Sequence, residues 1–211
     1  GSSTIGNLEL IMLEGDSGSN SLNISNMSFV VAGTAALDAK QITQKNGTLT
    51  FQGTPALSNM SSLNVNNGGE LILNSGGTFS NSSLNLTSSV FKPSGTVSVT
   101  NNSTFSFDQT SSVKLEGATT LSQSGAVSWP SLDLNGKAFT LDSNVSSMSF
   151  NSALSIGSGG TFNSGSAELS FNDNLSIADG GKLISSTGGI SLIEGLTLNG
   201  ELEQGGGILN L

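Results

Sequence analysis

Four residue types are missing from this 211-residue chain: histidine, cysteine, arginine and tyrosine. Without His or Cys there is no imidazole base, no thiolate nucleophile, no His/Cys zinc site and no disulfide. Without Arg no planar fork is available to clamp phosphate or carboxylate. Charge is scarce as well, at 10% of residues, and it leans one way: six Lys against fifteen Asp plus Glu give a net charge of −9. Nucleic acid is therefore excluded as an expected partner, because binding it depends on neutralising phosphates with positive charge. No run of eighteen apolar residues occurs, so no segment is expected to span a membrane as a helix. The lack of Cys fits the cytosol and the exterior equally and does not settle the compartment.

What the chain does have is small polar residues. Ser (40), Thr (18), Asn (22) and Gly (28) make up 108 of its positions. The hydrophobic share is 35%, lean for a globule of this length, yet the low charge does not fit the signature of disorder. Gly1-Ser2-Ser3 has neither a basic start nor an apolar stretch behind it, so residues 1–3 read as the remnant of a cleaved expression tag and not as a signal peptide. Ten Asn-x-Ser/Thr triplets occur, among them those at Asn23, Asn81, Asn102 and Asn174. Composition alone produces roughly six, so they are weak evidence for glycosylation.

The organising feature is a repeat. Leu63-Asn64-Val65, Leu84-Asn85-Leu86, Phe105-Ser106-Phe107, Val127-Ser128-Trp129, Met148-Ser149-Phe150, Leu169-Ser170-Phe171 and Ile190-Ser191-Leu192 follow one another at a nearly constant step, and Leu209-Asn210-Leu211 comes after a slightly shorter one. Each is apolar, polar, apolar, and the centre is always Ser or Asn. A second column holds Leu132/Leu134, Leu154/Ile156, Leu175/Ile177 and Leu196/Leu198; a third holds Phe139/Leu141, Phe162, Leu183 and Leu202. Upstream of residue 63 the pattern loosens to Leu22/Ile24, Phe29/Val31, Leu49/Phe51 and Leu57. Gly-Gly doublets such as Gly159-Gly160 and Gly180-Gly181 punctuate the rungs.

Alternation over three to five residues indicates strands, and no 3.6-residue stripe supports a helix. Three short strands and three turns per ~21 residues predict one coil of a right-handed parallel β-helix, an all-β solenoid. An antiparallel sandwich accounts for short strands but not for a recurring triplet with the same polar centre. Stacking also explains why one coil would not stand alone: each strand bonds to the rung above and below, ~4.8 Å away. Residues 4–211 are thus expected to form one β-helix domain of about ten coils, roughly 50 Å long. Leu63, Leu84, Phe105, Phe107, Val127, Trp129, Met148, Phe150, Leu169, Phe171, Ile190 and Leu192 are its expected inward ladder, with the five aromatic residues as packing and not as a ligand platform. No Gly-rich segment is followed by the Lys-Ser/Thr of a phosphate loop, so no nucleotide or other cofactor is expected.

Repeats such as Gly159-Gly160-Thr161-Phe162-Asn163 and Gly180-Gly181-Lys182-Leu183, in a Cys-free acidic chain rich in Ser, Asn and Gly, resemble passenger domains of Gram-negative autotransporters (type V secretion), with the vacuolating-cytotoxin-like passengers of Helicobacter as the nearest look-alikes. Phe171-Asn172-Asp173-Asn174 also matches the Phe-x-x-Asn element of chlamydial polymorphic membrane proteins, without their Gly-Gly-Ala. The autotransporter resemblance covers roughly residues 20–211. It implies a fragment of a longer passenger, export through the outer membrane, and display at the bacterial surface or release. It further implies a rigid stalk used in adhesion or colonisation, with a host-cell receptor, a glycan or another copy as partner.

Two other functional classes stay open: a toxin or effector subdomain, and a polysaccharide-active enzyme. For the enzyme the residues to weigh are Asp173 and Glu194, 21 apart, which stacking places about one rung apart. Retaining glycosidases hold two carboxylates ~5–5.5 Å apart, but any stacked acids meet that test, and no Lys aligns with this pair. No catalytic residue is therefore expected, and the pair is at most a weak cation site. Lys182 and Glu201 are expected to be rung neighbours in a surface contact. Leu8-Glu9-Leu10-Ile11-Met12-Leu13, apolar on both faces, is expected to be a buried strand or a contact with a preceding coil, with a partner-binding patch as the alternative.

Overall fold

In the computed structural model the described residues are 2–5, 8–10, 21–38, 41–59 and 61–211, of which 5 and 8–10 are described by their backbone. They form a parallel β-solenoid without helix, about 21 residues to the turn. The chain divides into two compact units, Gly1–Ser111 and Ser112–Leu211.

In the first unit the strands run in threes. The first coil holds β1 (Ser2–Ile5), β2 (Leu8–Leu10) and β3 (Ser21–Ser25), and the next β4 (Ser28–Val31), β5 (Ala35–Asp38) and β6 (Gln41–Lys45). Then come β7 (Thr48–Phe51), β8 (Pro55–Ser58) and β9 (Ser62–Asn66), followed by β10 (Glu70–Leu73), β11 (Gly77–Ser80) and β12 (Ser83–Thr87). The fifth coil is β13 (Val90–Pro93), β14 (Gly95–Thr100) and β15 (Thr104–Phe107). Every third strand pairs in parallel, so β1-β4-β7-β10-β13, β2-β5-β8-β11-β14 and β3-β6-β9-β12-β15 are three sheets around one core. Ser2 and Ser3 stand in β1, opposite Ser28 and Phe29.

The second unit repeats the scheme. Its coils are β16 (Ser112–Lys114), β17 (Thr119–Gln123) and β18 (Gly125–Trp129), then β19 (Leu132–Asp133), β20 (Ala138–Leu141) and β21 (Val145–Phe150). Next are β22 (Leu154–Ile156), β23 (Thr161–Gly165) and β24 (Glu168–Phe171), then β25 (Leu175–Ile177), β26 (Lys182–Ser185) and β27 (Ile190–Leu192). The last coil is β28 (Leu196–Leu198), β29 (Glu201–Gln204) and β30 (Leu209–Asn210).

The register follows the repeat. Leu63, Leu84 and Phe105 lie opposite one another, as do Met148, Leu169 and Ile190, and Trp129, Phe150, Phe171 and Leu192. Phe139, Phe162, Leu183 and Leu202 align in the same way. The looser upstream residues fall into the same columns: Leu22, Ile42 and Leu63 align, and Ile24, Gln44 and Val65 beside them. A slightly varying step and a fully buried Gln44 in an apolar column hide the repeat from a sequence count.

Burial divides the expected ladder. Leu63, Leu84, Val127, Trp129, Met148, Phe150, Leu169, Phe171, Ile190 and Leu192 are buried. Phe105 and Phe107 are only half-buried, less than the expected interior position, and β15 is the terminal strand of its sheet. Both rings contact Phe91, and Phe105 also meets Phe79 edge-on at 4.8 Å. In the second unit Trp129, Phe139, Phe162, Phe150 and Phe171 form a continuous chain of ring contacts, closing with Phe150 stacked on Phe171 at 5.3 Å. The apolar members of the last coil depart from the expectation as Phe105 does, leaving Leu198 and Leu209 exposed where their column partners Ile177 and Ile190 are buried. Ile11, Met12 and Leu13 lie outside the described residues, while Leu8–Leu10 form β2.

Candidate functional site

Because side chains alternate across a strand, each triplet that buries two apolar residues turns its polar centre outward. On the sheet β3-β6-β9-β12-β15 these centres are Asn23, Thr43, Asn64, Asn85 and Ser106, one per rung. Asn85 Nδ2 donates to Asn64 Oδ1 at 2.9 Å and to Ser83 Oγ at 3.4 Å, so neighbouring rungs are tied by a carboxamide ladder. The outward positions along one side, Ser21, Gln41, Ser62, Ser83 and Thr104, are also polar and uncharged, while the other flank, Ser25, Lys45, Asn66 and Thr87, includes one lysine. In the second unit the corresponding column is Ser128, Ser149, Ser170, Ser191 and Asn210.

The turns feeding these faces are built from the same residue types. Ser61 and Ser103 occupy equivalent corner positions two rungs apart. Their hydroxyls face carbonyls: the single Ser61 hydroxyl proton is shared between the Ser58 carbonyl at 2.5 Å and the Leu37 carbonyl at 2.9 Å, and Ser103 donates to the Thr100 carbonyl at 2.6 Å. Asp108 closes the turn after β15, accepting from Ser111 Oγ at 2.6 Å, Thr110 Oγ1 at 2.9 Å and the Ser88 backbone N–H at 3.1 Å. Those bonds, led by Ser111, hold its carboxyl below the usual aspartate range.

The two carboxylates singled out from the sequence lie in successive turns of one column. Asp173 is half-exposed in the turn after β24, where its Oδ1 accepts from the backbone and the side chain of its own neighbour Asn174. Glu194 is exposed in the next turn down the column, and two carboxylates offer each other no donor. Among the described residues no group of three or more carboxylate side chains is placed to hold a metal ion.

The Lys182–Glu201 neighbours do meet, at 3.2 Å, and Glu203 joins them at 2.6 Å from the same Nζ. The Glu203 contact, then Glu201, raises the Lys182 pKa, and Lys182 in turn lowers that of Glu203. Sequence reasoning missed Glu203, although its spacing of 21 from Lys182 carries the signal. It also missed the less exposed pair Lys92–Glu70 at 2.8 Å, a diagonal contact between adjacent rungs. Such isolated pairs suit positioning and solubility, and nothing in them supplies a nucleophile with an adjacent base.

Two shallow cavities open on the polar surfaces. One, of about 190 Å³, is lined by Ser61, Asn81, Ser82, Ser83 and Asn102. The other, of about 330 Å³ in the second unit, lies over β24, β27 and β30, between Glu168, Ser170, Ser191 and Ile208. No helix among the described residues is long and apolar enough to cross a membrane. No family model matches the chain, and no curated protein and no solved structure matches it.

Proposed function

We propose that this solenoid is a non-catalytic segment of a type V secretion passenger, carried to the bacterial surface, where it serves as a rigid stalk and adhesion module. The observation that carries the reading is the outer face of β3-β6-β9-β12-β15. Five rungs present one uninterrupted column of Asn, Thr and Ser in register, without a charged residue in it. A stacked coil makes such a face wide and regular without any reactive group, which suits holding a surface and not turning over a substrate. The resemblance of the repeats to autotransporter passengers supports export and display, and the partner is a host-cell receptor or a glycan.

The test is retention. The purified chain, labelled with a fluorophore, is expected to bind epithelial cells saturably, and cells displaying it are expected to adhere more than cells displaying a scrambled-turn control. Absence of both effects would end the adhesion reading. Release of reducing or unsaturated sugar ends from a polysaccharide panel would replace it with the enzyme reading.

A further inference from the structure

Asparagine is followed by glycine at Asn46-Gly47, Asn67-Gly68, Asn135-Gly136 and Asn199-Gly200. Such a pair can cyclise on itself, because a glycine has no side chain to hinder the approach of its nitrogen to the asparagine Cγ. All four asparagines are exposed, so access to water does not tell them apart. The peptide group between the two residues does. Ring closure needs the glycine nitrogen to give up its proton and the peptide plane to swing until that nitrogen faces Cγ. Gly68 N–H donates to the Ser88 carbonyl of the next rung at 2.7 Å, and Gly200 N–H donates to the Ile177 carbonyl at 3.0 Å. Both nitrogens are pinned, and freeing either costs a hydrogen bond. Gly47 N–H has no partner among the described residues, but the residue is wedged against its neighbours. A Cβ there would lie 2.2 Å from the Met27 carbonyl oxygen and 3.0 Å from Gln44 Nε2.

Asn135-Gly136 has neither restraint. The two residues are the centre of a tight turn between β19 and β20, at φ 49° and 69°, closed by Lys137 N–H on the Leu134 carbonyl at 2.8 Å. The peptide group that joins them, the Asn135 carbonyl and the Gly136 N–H, makes no hydrogen bond among the described residues. Nothing there lies nearer than 3.4 Å to an added Gly136 Cβ. We propose that Asn135 is a self-modification site, which converts to aspartate and isoaspartate with water as the co-reactant. Hydroxide takes the Gly136 N–H proton, and the nitrogen's electron pair forms a bond to Asn135 Cγ. The Cγ–Nδ2 bond then breaks, and Nδ2 leaves as ammonia after taking a proton from water, which restores the hydroxide. One water opens the resulting five-membered imide at either carbonyl. Cleavage on the side-chain arm gives aspartate; cleavage on the main-chain arm leaves the chain running through the side chain as isoaspartate. Either product loses the Nδ2 donor that now meets the Leu115 carbonyl at 3.2 Å and puts a carboxylate in its place. It also adds a negative charge two residues from Asp133. The modification thereby weakens the rung that carries it, and it is independent of the adhesion reading.

The experiment ages the full chain in warm, mildly alkaline buffer, folded and, in parallel, unfolded in urea. Peptide mapping follows each Asn-Gly pair, with enzymatic methylation of isoaspartate as the second readout. In urea the four pairs are expected to react at comparable rates. In the folded chain Asn135 is expected to react about tenfold or more faster than Asn67 and Asn199, the factor that one net hydrogen bond sets, and faster than Asn46. Asn135→Gly, which keeps the positive φ, should remove the modified peptide and leave the other three pairs as they were. The reacted form, separated from the parent by its added negative charge, should melt earlier. A folded chain in which Asn135 reacts no faster than Asn67 and Asn199 would overturn the assignment, and so would one in which Asn46 reacts first. A reacted form that melts with the parent would overturn the claim that the Asn135 carboxamide holds its rung.

Discussion

The two units solve the same corner problem with a different mix of residues. Among the described residues of the first unit, eight non-glycine residues have positive φ, seven of them Asn (for example Asn26, Asn46, Asn67 and Asn81) and one Ser88, beside glycines such as Gly68 and Gly76. In the second unit the one such residue is Asn135, and the left-handed positions go to Gly125, Gly136, Gly159, Gly165 and Gly180. Asn tolerates the left-handed region at some cost and keeps a carboxamide at the turn, whereas Gly adopts it freely and brings nothing. The first unit therefore carries functional groups on its turns, as in the Asn46 to Asn26 bond at 3.2 Å. Ring contacts occur inside both units, and in the second they run in a chain from Trp129 to Phe171.

That contrast can be broken most forcefully from the inside. Phe150→Asp places an unpaired charge in the ring chain and is expected to cost about 4 kcal/mol or more, whereas Ser149→Asp on the outward side should stay within about 0.5 kcal/mol; equal effects in urea denaturation would refute the inward register. Next come the glycines. Gly76→Ala, at φ 79°, pushes a Cβ into the Thr96 carbonyl, and about 2–3 kcal/mol of destabilisation is expected from left-handed strain and overlap together. Gly159 has the same conformation but nothing nearer than 3.7 Å to an added Cβ. Gly159→Asn, which imports the first unit's solution into the second, should therefore cost less than about 1 kcal/mol. A large loss of melting temperature there would show that the corners are not interchangeable. Ser61→Ala removes the hydroxyl that holds a corner and should cost about 1–2 kcal/mol, read by the same denaturation.

The smallest effects are electrostatic. Asp108 has a depressed carboxyl pKa, so its contribution is fully present above the unfolded aspartate value and is lost as pH falls through the lower folded one. Asp108→Asn should flatten the acid limb of the stability profile below about pH 4. Lys182, raised by Glu203 and Glu201, has the opposite sign: its contribution is present below the unfolded lysine value and is lost as pH rises through the folded one. Being exposed, that contact should fade in added salt, and a profile of Lys182→Met identical to the parent at high pH would show it contributes nothing.

The strand columns from Leu63 to Ile190 were legible because each triplet has to put two apolar residues on one side of a short strand, and stacking demands that the next coil do the same at the equivalent place. The aromatic clusters were legible only in part. Phe150 over Phe171 is a same-column pair that spacing predicts, but Phe79 against Phe105 joins different sheets across the core, and no periodicity within one column reports it. The smaller cavity was not legible at all. Ser61, Ser82 and Ser103 recur once per coil and are identical in type, yet two have satisfied hydroxyls and one does not, because that depends on side-chain rotation and on how the turn closes.

By itself the sequence determined an all-β stacked coil with polar centres facing out, because a period-two pattern repeated once per coil leaves few other ways to bury its apolar half. It also determined that no imidazole, thiol or guanidinium chemistry is available. Tertiary structure alone decided which columns are truly covered, since Phe105 and Leu198 obey the pattern yet lie on terminal strands. It decided, too, that Asn81, Ser82 and Asn102 line one groove. Spacing along a chain gives the rung a residue occupies, whereas burial and hydrogen-bond partners depend on what the neighbouring rungs place around it.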